Sequence, residues 1–424
     1  MITRIEALNY RCLRHVAQDL GPFHILVGPN ASGKSTFLDC LALLRDMLRD
    51  GFEHAVLSRA PDYRDLFWKG EGQRFELAIE AKIPDHHLCQ PPVGDHCRYE
   101  IAIGEPANSE EVGILAERLW LRPERVRTPG GRDEFPASAD VPSSILTEKP
   151  PRDWLPLLAE DALGNKALRG EFGGDPSLTI KLSRGSSEAS RRSALDFVPE
   201  GGDTLFHLAT WFKHLIAEEV ISVSLDCEAM RAPSPPTLSS GGFRSDGSDL
   251  PWIVRELETD HEDLFVQWIE HVRISLPDLR SIRSVVREED RHCYLKLAYH
   301  NGAEVPSWLV SDGTLRMLAL TVLAYLPASR PLKGIYLIEE PENGIHPAEL
   351  EIVQQSLTSV YDGQVLVATH SPVLVTIAEL DQLLCFGKTH GGAVDICVGT
   401  EHPRLRNWRR EVSLGTYLAG GVLG

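Results

Sequence analysis

A glycine-rich segment near the amino end has the residue types and spacing of a phosphate-binding loop. Residues 28–35 have the sequence G-P-N-A-S-G-K-S, which fills every fixed position of the pattern G-x-x-x-x-G-K-[ST]. In such a loop the backbone N–H groups surround phosphate oxygens, the lysine contacts the β- and γ-phosphates, and the last hydroxyl binds Mg²⁺. The residues predicted to bind nucleotide are Gly28, Pro29, Asn30, Ala31, Ser32, Gly33, Lys34, Ser35 and Thr36.

Two adjacent carboxylates follow a continuous apolar run far along the chain. Residues 335–338 have the sequence I-Y-L-I, which is typical of a parallel strand buried on both faces. Ligands of open α/β sheets bind at the carboxyl ends of strands. Glu339 can therefore hold the Mg²⁺ of a nucleotide, and Glu340 can orient or deprotonate the attacking water. A solvated acidic turn is the alternative, and the upstream phosphate loop argues against it.

Two further groups complete the set of candidate site residues. His370 directly follows an apolar run at 364–369, where an imidazole could contact a γ-phosphate. The sequence S-D-G-T at 311–314 leads into an apolar helix predicted over 315–326, and a helix amino end is a second anion site.

The elements that must position these residues can be predicted from apolar periodicity. The phosphate loop is flanked by an apolar strand at 24–27 and a helix at 36–44, as its function requires. Alternation predicts strands, helical periodicity predicts helices, and clusters of Pro, Gly and Ser predict long loops. The predicted strands cover 75–81 and 99–103, the helices 205–220 and 252–272, and the loops 129–151 and 231–251.

The order of the four motifs resembles the ABC class of ATPases, in the branch that holds RecF, SMC proteins and OLD-type ATPases. The start N-Y-R at 9–11 is similar to the opening element of that branch, and the resemblance covers about residues 1–80 and 290–400. It implies ATP and Mg²⁺ as cofactors, Glu339 as the Walker B acid, Glu340 as the catalytic base and His370 as the switch histidine. The signature that would contact the partner subunit's ATP consists of Ser311, Asp312, Gly313 and Thr314.

The chain departs from the family pattern at three places. The usual L-S-G-G-Q signature is V-S-D-G-T, and Walker B has Glu followed by Glu instead of Asp followed by Glu. Gln73 is the only glutamine near the position expected for a metal-binding Q-loop. The resemblance also implies that Arg11 approaches the nucleotide phosphates.

The predicted fold is α/β: an ABC-ATPase head with a P-loop and a mixed sheet, plus an α/β insertion or lid. We expect an ATPase lobe with Walker A at 1–100, the insertion at 101–290 and a second ATPase lobe at 291–400. A basic and aromatic tail follows at 401–424. The tail could be solvated, or it could dock on the core or on a partner.

Composition narrows the class of protein. The formal net charge of −18 argues against nonspecific coating of nucleic acid over the whole surface, although a local basic groove remains compatible with it. The eight cysteines form no paired framework, and there is neither a signal-peptide pattern nor an apolar run long enough to span a membrane. We therefore expect a cytoplasmic chain.

Two other patterns are open to two interpretations each. Arginines at 118–127 could form a basic strip or could simply be solvated; they are Arg118, Arg122, Arg125 and Arg127. A histidine- and cysteine-containing stretch could bind a metal, but its spacing matches no zinc pattern well; the residues are His86, His87, Cys89, His96 and Cys97.

The resemblance implies a homodimer in which each ATP lies between Walker A of one subunit and the signature of the other. The predicted function is an ATPase that couples nucleotide state to DNA sensing or to a separately encoded effector, such as a nuclease in anti-phage defence. We expect no nuclease activity in this chain, because the stretch after His370 is shorter than the roughly 100 residues of a TOPRIM-type domain. The alternative is a slow-hydrolysing clamp or adaptor that acts as a switch. A transporter subunit matches poorly, because of the long insertion and the N-Y-R start.

Overall fold

The computed structural model describes most of the chain. The described residues are 1–88, 94–106, 112–125, 131–160, 165–169, 179–182, 191–199, 204–239, 242–327, 334–361, 363–406, 408, 413–421 and 423.

Strands and helices alternate irregularly along these residues. The strands are β1 Ile2–Tyr10, β2 Leu13–Asp19, β3 Phe23–Val27, β4 Arg74–Lys82, β5 His96–Gly104, β6 Gly113–Arg122, β7 Leu155–Glu160, β8 Lys166–Arg169, β9 Thr179–Leu182, β10 Val220–Val223, β11 Leu279–Val286, β12 Cys293–Tyr299, β13 Glu304–Pro306, β14 Ile335–Glu339, β15 Gln364–Ala368, β16 Leu383–Lys388 and β17 Val394–Val398. The helices are α1 Lys34–Arg49, α2 Phe52–Leu57, α3 His207–Ala217, α4 Cys227–Arg231, α5 Leu250–Asp260, α6 Glu262–Ser275, α7 Asp312–Thr321, α8 Leu350–Thr358, α9 Pro372–Thr376 and α10 Leu414–Ala419.

The described residues form three sheets. The first is antiparallel, in the order β2-β1-β4-β5-β6-β7-β8-β9. The second has the order β10-β14-β15-β3-β16-β17, with parallel pairing except between β16 and β17, so it is mixed. The third is the antiparallel sheet β11-β12-β13. The prediction of an α/β head with a mixed sheet is confirmed.

The mixed sheet is buried on both faces, which explains the apolar run in β14. Ile335 and Leu337 belong to a core shared with the antiparallel sheet and α1. Tyr336 and Ile338 point to the opposite core, which α5 to α9 cover. Alternate side chains of β14 therefore pack into two different apolar cores. A polar side chain can reach solvent only where the strand ends.

Residues from the range 101–290, predicted to form an insertion, contribute strands to both large sheets. Strand β10 lies inside that range, yet it is an edge strand of the mixed sheet, where Val220 pairs with Ile335 of β14. The range also contains strands that extend the antiparallel sheet. Residues 101–290 are therefore built into the head, because their strands complete sheets that the amino-terminal part begins.

Several predicted elements are observed with shifted ends. The strands predicted at 75–81 and 99–103 are β4 and β5. The helix predicted over 205–220 ends at Ala217, since Val220 already begins β10. The helix predicted over 252–272 is divided between α5 and α6 at His261, whose φ of −139° and ψ of 55° are not helical.

The predicted basic strip is not a row of solvated arginines. Arg122 is buried and donates a hydrogen bond of 2.7 Å to Glu80 on the antiparallel sheet. Arg118 donates to the Thr147 carbonyl at 2.7 Å, and Arg125 pairs with Asp19. Arg118 and Arg122 therefore bind groups within the fold, the ion pair of the 43% exposed Arg125 lies at the surface, and Arg127 lies outside the described residues.

The carboxyl-terminal tail docks on the core. Leu405, Leu414 and Leu423 are buried in the cluster that also holds one face of the mixed sheet. Trp408 and Tyr417 pack against the same cluster. Apolar side chains therefore fix the described part of the tail, which rules out the solvated alternative for these residues.

Within the described ranges, no helix combines the length and the apolar character needed to cross a membrane.

Candidate functional site

The phosphate loop connects β3 to α1, and two of its glycines are required by backbone geometry. Gly28 has φ 150°, and a Cβ there would stand 2.3 Å from the Phe386 carbonyl oxygen. Gly33 has φ 100°, and a Cβ there would stand 2.8 Å from a methyl carbon of Val394. Both positions combine a left-handed backbone with close packing, so a side chain at either would push the loop away from β16 and β17.

Lys34 is held inside this loop. Its side chain donates hydrogen bonds to the carbonyls of Gly28 at 2.9 Å and Pro29 at 3.1 Å. Burial lowers the pKa of Lys34 to about 8, and the nearby carboxylates of Glu340, Glu339 and Glu342 oppose that shift. The ammonium therefore lies where phosphate oxygens would meet it, in a site that makes its charge costly until an anion binds.

Walker A and Walker B meet through one direct contact. The hydroxyl of Ser35 donates a hydrogen bond to the carboxylate of Glu339, the last residue of β14. Hydroxyl and carboxylate oxygens are the hard ligands that Mg²⁺ prefers. The two residues therefore fit a magnesium ion, and they would hold it at the position where it neutralises nucleotide phosphates.

Glu340 has an unusual backbone conformation that directs it out of the strand. Its φ is 48°, in the left-handed region, and its N–H donates to the Ala368 carbonyl of β15 at 2.8 Å. Its carboxylate accepts a hydrogen bond of 2.7 Å from the Asn343 side chain and is exposed. A strained residue held by its surroundings is common at functional sites. Glu340 is thus placed beside Glu339 and Lys34 with a carboxylate free to contact water.

His370 lies at the end of β15 and is tied to the acidic segment. Glu342 accepts hydrogen bonds from the Thr369 hydroxyl at 2.7 Å and from the His370 N–H at 2.9 Å. The other carboxylate oxygen of Glu342 is buried and has no hydrogen-bond partner within the described residues. The His370 side chain itself is exposed. The structure therefore connects the predicted switch histidine to the Walker B turn through Glu342.

A cavity of about 490 Å³ opens next to the Ser35–Glu339 contact. Its walls come from α1, β10, β14 and α7, and they include Asp39, Glu340, Asn343 and Arg316. Sequence analysis missed Asp39 and Arg316. Asp39 follows Ser35 by one helical turn on α1, so helical spacing could have placed it on the same face.

The signature residues stand at the amino end of α7. Ser311 is the N-cap and accepts a hydrogen bond of 3.3 Å from the Thr314 N–H. A Cβ on Gly313 would lie 2.4 Å from the Gly344 carbonyl oxygen, so glycine permits close packing on the turn after Walker B. Asp312 pairs with Arg231 of α4. None of these signature residues lines the cavity beside Ser35.

Of the predicted site residues, Ser35, Glu339 and Glu340 line this cavity, and Gln73 and Arg11 are among those that do not. Gln73 is exposed in the turn before β4, where its carbonyl accepts a hydrogen bond of 2.9 Å from the Glu105 N–H. Arg11 has φ 49° and pairs with Asp39 at 3.3 Å, so it lies one contact away from the cavity wall. The metal role predicted for Gln73 gains no support, because no described contact links its side chain to Ser35 or Glu339.

The histidine-rich stretch shows no metal geometry in the described part of the chain. No group of three or more His, Cys, Asp or Glu side chains there is arranged to hold a metal ion. His87 instead makes a 2.5 Å contact with His207, and His96 pairs with Asp95. Cys89 lies outside the described residues.

Comparisons with known proteins give a family match over part of the chain and similarity of fold to solved structures. Residues 23–87 and 237–376 match a family model described as "AAA domain, putative AbiEii toxin, Type IV TA system". An SMC head bound to the C-terminal winged-helix domain of ScpA aligns with a TM-score of 0.50 and 14% identity, covering 93% of this chain and 96% of that one. An SMC head of Pyrococcus furiosus aligns with a TM-score of 0.48 and 13% identity, covering 93% and 95%. No match was found among curated proteins.

Proposed function

From the premise that this chain is an ABC/SMC-like ATPase with an AAA domain, we propose that it binds and hydrolyses Mg²⁺–ATP as a nucleotide-dependent homodimer. The observation that carries the proposal is the convergence of Lys34, Ser35, Glu339 and Glu340 at the carboxyl edge of the mixed sheet. This arrangement supplies one cation for phosphates, two oxygen ligands for the metal and one carboxylate for water.

Each of these residues has a chemical role in the proposed hydrolysis. Ser35 and Glu339 would hold the Mg²⁺, which when bound neutralises phosphate charge. Lys34 leaves the carbonyls of Gly28 and Pro29 to contact phosphate oxygens. Glu340 accepts a proton from the attacking water, while its bond to Asn343 keeps the carboxylate oriented.

Pairing of two copies is supported by where the signature lies. Ser311 is exposed at the amino end of α7, and it does not line this chain's own cavity. A helix amino end with an exposed hydroxyl is suited to a phosphate brought by another subunit. Neither half-site would be complete alone, and this gives ATP-driven dimerisation a physical cause.

The output of the cycle is proposed to be DNA sensing or control of a separately encoded effector, in a defence setting against phage or foreign DNA. This setting rests on the resemblance to stand-alone ATPases of this type; the matching family model is described as a putative AbiEii toxin of a type IV TA system. No nuclease activity is proposed for this chain, so the effector, such as a nuclease, would be a partner protein.

The decisive experiment is Glu340→Gln, which keeps the shape of the side chain and removes the base. We expect it to retain ATP binding and to lose at least about 100-fold in hydrolysis rate, the usual contribution of a general base. Glu351→Gln on the exposed face of α8 is the matched control and should behave like the wild type. Wild-type hydrolysis by Glu340→Gln would contradict the proposed role.

A second candidate function is a slow-hydrolysing switch or adaptor. The observation that favours it is Asp312, an acidic signature residue whose carboxylate pairs with Arg231. A carboxylate at this position would oppose the partner's phosphates and slow the assembly of a hydrolytic site. Turnover measured with and without DNA separates the two: a switch stays slow in both, whereas a DNA sensor accelerates when DNA is added.

A further inference from the structure

The solvent-exposed face of the sheet β11-β12-β13 combines cations with aromatic rings. On this face Arg283 of β11 pairs in register with Lys296 of β12, and Lys296 pairs with Pro306 of β13. Tyr294 lies two residues before Lys296, on the same side of β12. The opposite side of these strands is buried against α5 and α6. We call the outer side of this sheet, together with Arg280, Arg287 and Trp308 at its margins, the basic–aromatic face.

The cations of this face exceed the carboxylates along the strands. Arg280 and Arg283 are exposed, and neither guanidinium forms an ion pair or hydrogen bond with another described side chain. Glu304 pairs with Lys296 at 2.5 Å. The bond and charge of Lys296 lower the pKa of Glu304, and Arg280 and Arg283 add to this effect, so all three cations converge there. This concentration is notable in a chain of net charge −18.

The rings of Tyr294 and Trp308 pack against each other at an angle of 45° and continue the face toward the signature. The Arg287 guanidinium lies 5.8 Å from the centre of the Tyr294 ring, and the Tyr294 and Trp308 rings are 5.0 Å apart. Trp308 is 43% exposed and Leu309 is 70% exposed. The exposed indole and the neighbouring exposed leucine offer apolar surface beside cations that a ligand can cover.

The acidic hairpin tip bounds this surface. Glu288, Glu289 and Asp290 are exposed between β11 and β12, and Asp290 pairs with Arg287 at 3.6 Å. The cations available to a polyanion are therefore those along the strands, away from the tip. A ligand that binds only to positive charge would make few contacts here. A ligand that also stacks on aromatic rings would contact the cations and the rings.

We propose that the basic–aromatic face binds single-stranded nucleic acid, with Arg280, Arg283 and Lys296 along the phosphates and Trp308 stacked on a base. Charge complementarity and an exposed ring are the two features that single-strand binders combine. The bases of a duplex are stacked on one another and cannot stack on Trp308. A duplex would therefore contact this face only through its phosphates and the few cations. The inference rests on the proposed function, because it identifies the surface and the kind of DNA that an ATPase of this type would sense.

The location of this face gives bound nucleic acid a path to the nucleotide site. Trp308 precedes the N-cap Ser311 by three residues. The connecting segment is fixed by Arg231, whose side chain donates to the Val310 carbonyl at 3.1 Å and pairs with Asp312. The Ser307 hydroxyl donates to the Arg231 carbonyl at 3.1 Å. A base stacked on Trp308 would therefore act on the amino end of α7 through one short, tethered segment.

The test measures binding of a fluorescent oligothymidylate of about 20 nucleotides, and of a duplex of equal length, to the full chain by anisotropy. The wild type should prefer the single strand. Trp308→Ala and Arg283→Glu should each weaken this binding by roughly tenfold, and Trp308→Phe should restore most of it. Lys69→Glu is the matched control, because Lys69 is also exposed and lies 5.4 Å from a tryptophan ring, that of Trp68, outside this face.

Each outcome decides one part of the proposal. Failure of the wild type to bind any oligonucleotide overturns it and leaves the face to a protein partner. Equal losses in Lys69→Glu and Arg283→Glu overturn the assignment of the surface, and equal affinity for the duplex overturns the preference for single strands. Binding of a fluorescent ATP analogue and basal ATP hydrolysis are measured in the same samples. A wild-type protein that neither binds the analogue nor hydrolyses ATP would contradict the proposed function itself. Stimulation of hydrolysis by the oligothymidylate, present in the wild type and absent in Trp308→Ala, would support coupling to the signature.

Discussion

The hydroxyl of Ser35 donates a hydrogen bond to the carboxylate of Glu339, although the two residues are 304 positions apart in the chain. The contact exists because β3 and β14 lie on either side of β15 in one parallel sheet, with their carboxyl ends at the same edge. The loop after β3 and the last residue of β14 therefore meet without any additional structure. Because both partners are magnesium ligands by type, the fold holds the two halves of a metal site together before nucleotide binds.

The buried position of Lys34 predicts that ATP affinity depends on pH. Burial lowers the pKa of Lys34 to about 8, and phosphate oxygens bind the charged form. Affinity should therefore be fully present below pH 8 and should fall by up to about tenfold for each pH unit above it. Titration of a fluorescent ATP analogue between pH 7 and 9 measures this. Lys34→Arg keeps its charge throughout and should remove the slope, whereas a flat wild-type profile would contradict the prediction.

The N-cap role of Ser311 determines how the signature should be tested. Its side chain caps α7, so a bulky replacement would also destabilise the helix. Ser311→Asp keeps an efficient cap, and its negative charge would face the partner's γ-phosphate. We expect stability within about 0.5 kcal/mol of the wild type, together with loss of ATP-driven pairing measured by light scattering. Ser413→Asp is the matched control, because Ser413 caps α10 through Thr416 in the same way.

Mixing variants tests whether the sites are shared between subunits. In a mixed dimer of Ser311→Asp and Lys34→Ala, one composite site carries both defects and the other is intact. Partial recovery of hydrolysis in the mixture is the expected result. If the two variants pair and no activity returns, each subunit works alone and the shared-site model is wrong.

Sequence patterns predicted the strands and the helix that carry the candidate site residues. The strand and helix around residues 28–35 are β3 and α1, and the apolar run before Glu339 is β14. These features depend on residues close together in the chain, where backbone requirements of a phosphate loop and burial on two faces leave few alternatives. The structure adds the Ser35–Glu339 contact, which arises because parallel strands bring their carboxyl ends to one edge.

Non-local pairing accounts for the misses. The four residues of β10 continue the apolar pattern of α3, and their strand conformation depends on β14, more than 100 residues later. His261 ends α5 without a glycine or proline to signal the break. The metal role predicted for Gln73 depends on its chain position alone, which does not determine the direction of a side chain in a turn. Composition does not determine whether the tail is solvated or docked, because burial of Leu414 depends on packing against α9.

The contact between Gly313 and Gly344 predicts a steric test of the signature. A Cβ at residue 313 would stand 2.4 Å from the Gly344 carbonyl oxygen, and backbone atoms cannot yield as a flexible side chain can. Gly313→Ala should therefore cost about 1–3 kcal/mol of stability and reduce hydrolysis by shifting α7 from the Walker B turn. Gly391→Ala, where the nearest atom is 3.8 Å away, is the control. Equal melting temperatures and rates in the two variants would show that α7 tolerates the displacement.

The docked tail predicts that residues after Arg404 support the head itself. Leu414 is fully buried, and α10 packs against α9. Leu414→Ala removes buried apolar groups and leaves a cavity, so we expect a loss of about 2–5 kcal/mol in the free energy of unfolding by denaturant. Leu57→Ala makes the same change at the end of α2, where the side chain is 61% exposed, and should cost far less.

Deletion of the whole tail would remove Leu405, Leu414 and Leu423 from the core together, so loss of partner binding in that variant could reflect unfolding. If Leu414→Ala unfolded at the same denaturant concentration as Leu57→Ala, the tail would contribute nothing to the stability of the head, and its aromatic residues would again be candidates for partner contact.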